Sequence, residues 1–379
     1  MGETLVLNSG SSSIKFALFD ENLSKKTHGS ATEIGGASML SVDGVDRGVS
    51  LTSHVDAMTV ILKALQEKGV DPSSLAAAGH RVVHGGPHLT KPCRLGDSVL
   101  EEIERCTPLA PLHNPHNLSA IRALAQIAPD LPQCASFDTA FHTSNPDVAR
   151  RYALPLEVTD PDVLRYGFHG ISYAAMVRKL PDISGRKLPE RLLALHLGNG
   201  ASLCAIRNGR SVATTMGYSP IEGLTMGTRV GSIDANLVLR LAGQFGVERT
   251  GEILNNESGL LGLGGTSDMR GLHAESTSRS QFAIEHFCYW AVRHAGSMIS
   301  AMEGLDGIAF TGGIGENDAD IRGRILKGLA WAGASLNEGF NEAGQACLSD
   351  PGATVSTWIV PAEEEWMIAC DALSVMEPA

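Results

Sequence analysis

Basic runs, CxxC pairs, long apolar stretches and aromatic side chains are all scarce in this 379-residue chain. A formal net charge of -12 without a Lys/Arg run long enough to make a local patch weighs against nucleic acid and anionic membrane as partners. The seven cysteines, at 93, 106, 134, 204, 288, 347 and 370, are odd in number and widely spaced, which indicates neither a disulfide framework nor a zinc site and fits a reducing cytoplasm. No run approaches the ~18 apolar residues of a membrane span, and Thr4-Leu5-Val6-Leu7 follows the start without a basic segment, so neither secretion nor membrane insertion is expected. Aromatics make up only 5%.

Glycine is plentiful, at 42 residues, and the length suits two domains, each with its own core. Short apolar runs (Thr4 to Leu7, Ile14 to Phe19, Ala78 to Val83, Gln133 to Phe137) alternate with helix-like stretches at Val55 to Glu67, Ser98 to Cys106 and Asn117 to Ile127. The second half repeats the alternation. Strands are expected at Leu192 to Leu197, Ser202 to Ile206, Gly307 to Thr311 and Thr354 to Val360, and helices at Ile233 to Phe245, Gln281 to Met302 and Asp320 to Trp331. This is a mixed α/β pattern. The polar, Pro-containing stretch after His142 suggests domains of 1–142 and 143–365, with 366–379 returning to the first.

Two hairpin-like openings share one grammar. Strand, Asn8-Ser9-Gly10-Ser11-Ser12-Ser13 and strand are matched later by strand, Gly198-Asn199-Gly200 and strand. Superposing Gly10 on Gly198 sets Asn8 against His196 and, after one inserted residue, Ser13 against Ser202, which points to two homologous halves. Small residues let such turns approach an anion closely with several N–H groups, and Lys15 adds a cation beside the first. Thr311-Gly312-Gly313-Ile314-Gly315-Glu316-Asn317 is a third Gly-rich turn, between an expected strand and helix. None fits GxxxxGK[ST] or GxGxxG, so P-loop and dinucleotide-binding folds are disfavoured.

Short segments also concentrate His, Arg and Asp: Gly79 to Gly86 with Arg81, Leu112-His113-Asn114-Pro115, Phe137-Asp138, Tyr166-Gly167-Phe168-His169-Gly170 and Met226-Gly227-Thr228-Arg229. Taken singly, each reads as a surface ion pair, a capped turn or a satisfied core histidine. Collectively they would load a core with desolvated charge unless an anionic ligand met them, and a phosphate site does so. HExxH is absent, which sets a metallohydrolase well behind.

These motifs, in order and spacing from Leu7-Asn8-Ser9-Gly10 to Ile359-Val360-Pro361-Ala362-Glu363-Glu364-Glu365, resemble the acetate kinase (acetokinase) family along nearly the whole chain. Ser9 and Gly312 stand where the family more often has Ala, and Glu363 where it has Asn. The resemblance implies a duplicated α/β fold of two ribonuclease-H-like domains with a nucleotide cleft between them, as in the superfamily that includes sugar kinases, heat-shock chaperones and actin. It implies Mg2+-dependent (or Mn2+-dependent) transfer between ATP and acetate, giving ADP and acetyl phosphate, in a cytoplasmic homodimer. Propionate or another short carboxylate is the alternative acceptor, and an actin- or chaperone-like ATPase the alternative class.

By resemblance, Asn8 and Glu364 hold the metal. Lys15, His196, Leu197, Gly198, Asn199, Gly200, Asp268, Met269, Arg270, Gly313, Ile314, Gly315, Glu316 and Asn317 bind nucleotide. Arg81 takes the carboxylate, with Val83, Leu112, Phe168 and Pro220 around its methyl group and His113 nearby. Asp138, His169 and Arg229 are the catalytic residues. Because a carboxylate acceptor with a pKa of about 4 is already ionised at neutral pH, Asp138 is expected to organise the cationic groups rather than take a proton.

Overall fold

The apolar runs near the start of the chain become the interior of a sheet covered on both faces. A computed structural model describes residues 2–376. Its first sheet contains β1 (Thr4–Ser9), β2 (Ile14–Phe19), β3 (Lys25–Thr32), β4 (Met39–Val42), β5 (Val45–Gly48), β6 (Ala77–Val82), β7 (Cys93–Arg94) and β8 (Gln133–Phe137), in the order β5-β4-β3-β2-β1-β6-β8-β7. β1 and β2 form an antiparallel hairpin, and β6 and β8 extend the sheet parallel to β1. Alternate residues take opposite faces. Leu5, Leu7, Ile14, Phe16 and Leu18 pack with the helix His54–Glu67 (Met58, Ile61, Leu65) and with Ala120 and Leu124 of the helix Asn114–Ile127. Val6, Ala17 and Phe19 pack on the other side with Met367, Ile368 and Ala369 of the helix Glu364–Met376. Burial on both faces explains why these strands read as continuous apolar runs.

The second sheet contains β9 (Arg191–Leu197), β10 (Ala201–Arg207), β11 (Arg210–Thr214), β12 (Gly307–Thr311) and β13 (Ser356–Ile359), in the order β11-β10-β9-β12-β13. β9 to β11 are an antiparallel meander, and β12 and β13 run parallel to β9. The core of the first sheet, β3-β2-β1-β6-β8, repeats this order strand for strand, which is the duplicated ribonuclease-H-like arrangement. The two hairpin turns correspond at Gly10 and Gly198, but the extra residue lies in the first turn and not, as the sequence superposition has it, in the second, so Ile14 rather than Ser13 opens the strand that matches Ala201. Gly10 N–H donates to Ser13 O at 2.8 Å and Gly198 N–H to Gly200 O at 3.0 Å, so the first turn is one residue longer. The 25-residue helix Ser278–Met302, started by a Thr277/Ser280 capping box, buries Phe287, Ala291, Ala295, Met298 and Met302 at three- to four-residue spacing.

Two compact units result: Met1–Phe141, Gly170–Ala175 and Glu363–Ala379 form one, and His142–His169 and Met176–Ala362 the other. Residues 377–379 of the expected C-terminal segment lie outside the described residues. Several expected elements differ in extent. The helix expected over Asp320 to Trp331 ends at Gly328, with a separate 3-10 turn at Ala330–Ala332, and the one expected from Ile233 begins at Ala235, where Asp234 caps it. Gly312–Asn317, expected as a turn, is a short helix. β3 and β5 are mostly polar and β4 is only four residues long, so these strands offer little apolar signal.

Two amides tie the strand ends of the first sheet together. Asn117 accepts from Val83 N–H at 3.2 Å and donates to Ser9 O at 2.8 Å, and Asn114 accepts from His84 N–H at 3.2 Å and donates to His84 O at 3.0 Å. Both side chains are buried, so they supply partners that water does not reach. On β6, a Cβ at Gly79 would lie 2.7 Å from Ile368 Cγ2, so the strand meets the C-terminal helix without an intervening side chain. Gly79→Val is therefore expected to lower stability by about 1–3 kcal/mol through overpacking, read as a lower urea midpoint. An unchanged midpoint would contradict this close packing.

Candidate functional site

In the first unit, polar chemistry gathers where parallel strands end. Arg81 is the penultimate residue of β6 and Asp138 follows the last residue of β8, and the register Arg81↔Ser136, Val82↔Phe137 brings the two ends side by side. Arg81 Nε donates to Asp138 Oδ1 at 3.1 Å and Nη2 to Oδ2 at 2.5 Å, a two-point pairing, while Nη1 donates to Asn8 Oδ1 at 3.2 Å. Those bonds use three of the guanidinium's five N–H donors. Asp138 is 2% exposed. Burial pushes its carboxyl up, the Arg81 charge and hydrogen bond oppose that rise, and Glu364 adds to it. For Arg81, burial works against the charge, but Asp138 and Glu364 outweigh it and hold the guanidinium above its ordinary value.

The remaining residues of this half fall into place around the pair. Lys15 is exposed on β2 directly across from Asn8. His113 precedes the helix Asn114–Ile127, and its charge draws the Asp138 carboxyl down. Val83 is buried at the end of β6, whereas Leu112 is 60% exposed. Among the three successive glutamates, Glu365 pairs with Lys25 at 2.9 Å, while Glu364 acts electrostatically on Arg81 and Asp138. Among the described residues no cluster of three or more His, Cys, Asp or Glu is arranged to enclose a metal ion.

In the second unit, the β9–β10 turn is the centre. A Cβ on Gly200 would sit 3.3 Å from His169 Nε2 and 3.7 Å from Arg229 Nη1, so both side chains close on the space that glycine leaves open. His169 stacks on His196 with ring centroids 4.1 Å apart, and its Nδ1 lies 2.9 Å from Ser202 Oγ. Arg229 Nη1 donates to Pro220 O at 3.3 Å. Phe168 is buried beside His169, and Pro220 is half-buried. Gly227 N–H donates to Asn199 O at 2.9 Å, which joins the Arg229 loop to the turn.

Next to this turn lies a cavity of 480 Å³ lined by Gly198, Asn199, Asp268, Met269, Arg270, Gly313, Ile314 and Asn317, together with Ser267 and Asp318. Its size falls within the roughly 300–1,000 Å³ of small-molecule clefts. Of the fourteen residues expected to bind nucleotide, these eight line it; Lys15 belongs to the first unit. Leu197 and Gly315 are buried behind it, and Gly200 and His196 stand on the His169 side. Glu316 accepts from Gly312 N–H at 3.0 Å and Ala362 N–H at 2.9 Å, which makes it a backbone tie rather than a lining group. Asp268 caps the helix Met269–Glu275 and pairs with exposed Arg270 at 2.9 Å. Sequence reasoning missed Ser202, Ser267 and Asp318, as it did Asn114 and Asn117; Asp318 alone carried a signal, as an N-cap residue before the helix Ala319–Gly328.

A basic group and an acidic group at strand ends in one unit, and a Gly-lined cavity beside two histidines and an arginine in the other, is chemistry for anions. Comparison with known proteins gives the same direction. Residues 3–370 match the model of the acetokinase family. An acetate kinase of Rhodopseudomonas palustris is 43% identical over 383 residues, covering 96% of each chain, and one of Campylobacter jejuni is 37% identical over 384 residues, covering 96% of this chain and 97% of the other. A propionate kinase of Francisella tularensis superposes with a TM-score of 0.94 at 35% identity, covering 99% of this chain and 100% of the other. Porphyromonas gingivalis acetate kinase superposes with a TM-score of 0.92 at 33% identity over the whole of both chains. By its sequence and its fold, this chain belongs to the acetokinase family.

Proposed function

We propose that the protein is an acetate kinase, catalysing reversible, magnesium-dependent transfer of the ATP γ-phosphoryl group to acetate to give ADP and acetyl phosphate. The observation that carries this reading is the pair of cationic groups, Arg81 held by Asp138 and Asn8, and His169 with Arg229 at Gly200, in a chain that matches acetate kinases over nearly its full length. Phosphoryl transfer requires alignment of two anions and neutralisation of charge on the equatorial oxygens rather than a strong base. Acetate needs no deprotonation at neutral pH.

Each residue then has a task suited to its surroundings. Arg81 receives the carboxylate with the donors not spent on Asp138 and Asn8. Asp138, whose carboxyl already serves Arg81 at two points, orients that guanidinium and takes no proton from the acceptor. His169 and Arg229 face the oxygens of the transferring group. By family resemblance, Val83 and Leu112 of the first unit and Phe168 and Pro220 of the second are assigned to the acceptor's methyl group and His113 to the acceptor; the 480 Å³ cavity takes the nucleoside, and Lys15 and the Gly198–Gly200 turn are assigned to its phosphates.

Asn8 and Glu364 are hard oxygen donors, and a site with so few protein ligands leaves positions for phosphate oxygens and water, as magnesium prefers. The pairing of Glu365 with Lys25 favours Glu364 among the three glutamates. Magnesium, for which manganese is a substitute, would neutralise phosphate charge there.

A propionate kinase reading is favoured by the Francisella tularensis neighbour. One methylene changes discrimination by only ~1–3 kcal/mol, so the two acceptors compete on similar terms. We also take the protein as a cytoplasmic homodimer. All seven cysteines are free, as a reducing compartment requires, and no helix among the described residues is long and apolar enough to cross a membrane. The helix Ala235–Phe245 buries none of its residues and leaves Leu237, Leu239 and Phe245 exposed, an apolar surface suited to a second copy.

Three measurements test these readings. Purified protein incubated with ATP, magnesium and acetate, propionate or butyrate in the presence of hydroxylamine is expected to yield most hydroxamate with acetate; ATP loss without hydroxamate would indicate an ATPase instead. Arg229→Ala is expected to lower kcat by about 100-fold or more, as loss of one transition-state donor does, and Arg81→Ala to act chiefly on the carboxylate KM. The opposite split would reverse the two assignments. Sedimentation equilibrium is expected to give twice the 40.0 kDa chain mass; a monomer at micromolar concentration would remove the homodimer.

A further inference from the structure

His169 occupies a conformation that needs outside support. Its φ of 59° is left-handed, a strained conformation for a residue with a Cβ that persists only where its surroundings over-determine it. Gly167, two residues earlier, is also left-handed at φ 74°. The turn between them carries one backbone carbonyl, that of Phe168, and His142 Nε2 meets it at 3.0 Å. The His142 ring also packs closely against the turn, because a Cβ on Gly167 would come within 2.7 Å of its Cδ2. Phe168 is itself 2% exposed, so its side chain anchors the turn from within.

The other edge of His142 is built with equal care. Nδ1 lies 2.9 Å from Ser211 Oγ on β11 and 3.9 Å from Cys204 Sγ on β10, and Ser211 Oγ reaches Asn145 Oδ1 at 2.7 Å. All four side chains are buried. Burial pushes the His142 imidazole down to about 4, so the ring is neutral at physiological pH and holds one proton. A carbonyl oxygen only accepts, which puts that proton on Nε2; Ser211 gives its hydroxyl proton to Asn145 Oδ1, so the Cys204 thiol is the donor left facing Nδ1. The Phe168 carbonyl thus sets the tautomer, and β10 and β11 enclose the other edge of a ring whose one donor is spent on the backbone before His169.

We propose that His142 is a positioning residue for phosphoryl transfer: its Nε2–H holds the Phe168 carbonyl, and through it the left-handed turn that presents His169 at Gly200. This rests on the reading of His169 as a group facing the transferring phosphoryl. A residue acting in this way alters the transition state more than substrate binding, and acts only through His169. The substitutions to compare are His142→Ala, His142→Gln, His169→Ala and the double alanine variant. A glutamine Nε2 lies the same number of bonds from Cα as that of histidine and can restore the donor.

His142→Ala is expected to lower kcat by about 10- to 100-fold, the scale of an ångström-level misplacement, with KM for ATP and for the carboxylate within about twofold of the parent. His142→Gln is expected to recover most of the loss, and the double variant to fall no further than His169→Ala alone. Unchanged kcat in His142→Ala, no recovery with glutamine, or multiplicative losses in the double variant would each overturn the inference while leaving the His169 reading intact. Full turnover in His169→Ala would remove that reading, and this inference with it. Should His142→Ala fail to fold, the imidazole 15N shifts of the unaltered protein decide: the Nε2–H tautomer is expected at His142, and a proton on Nδ1 overturns the proposal.

Discussion

The buried pairing of Arg81 with Asp138 is the constraint around which the first unit is arranged. A carboxylate 2% exposed to solvent persists in charged form only with a cation and hydrogen bonds in good geometry, and the parallel register of β6 and β8 supplies both at once. The same register requires β6 to lie between β1 and β8, which brings Asn8 to the remaining side of the guanidinium. Breaking such a pair strands a charge, at a cost of about 3–5 kcal/mol, so fold and site cannot be separated at this point. Asn114 and Asn117 complete the arrangement by satisfying the backbone groups that strand ends leave unpaired.

The second unit solves a different problem with the same strand order. Here the hairpin turn carries little charge itself, and the missing side chain of Gly200 makes room for His169 and Arg229. These two side chains come from two loops, each tied to its surroundings through backbone groups: Phe168 O to His142, Pro220 O to Arg229, Gly227 N–H to Asn199 O. Duplication therefore supplied two similar frames, and the turns diverged. One keeps Asn8 close to a paired arginine, and the other keeps glycines close to a cavity.

Much of this is legible in the order of residues along the chain. The two hairpins, the alternation of strands and helices and the clustering of His, Arg and Asp beside glycine follow from local chemistry, because turn residues and apolar periodicity act over a few positions. The strands β3 to β5 are not legible, since β3 and β5 are mostly polar and β4 is only four residues long. Nor are Ser202 and Asn117, whose partners lie in other elements, and Glu316 reads as a ligand-facing residue although its carboxyl is occupied by two backbone N–H groups.

Sequence alone determined the family, the duplicated α/β architecture and the segments that carry charge, since each depends on residue type and spacing along the chain. Tertiary structure decided which atoms those charges face: Arg81 on Asp138 at two points, Glu365 on Lys25, His169 on His196, and a neutral His142 against the Phe168 carbonyl. The reason is physical. Hydrogen bonds and ion pairs depend on distances of about 3 Å between groups that lie tens of residues apart in the chain, and only the packing of the sheets sets those distances.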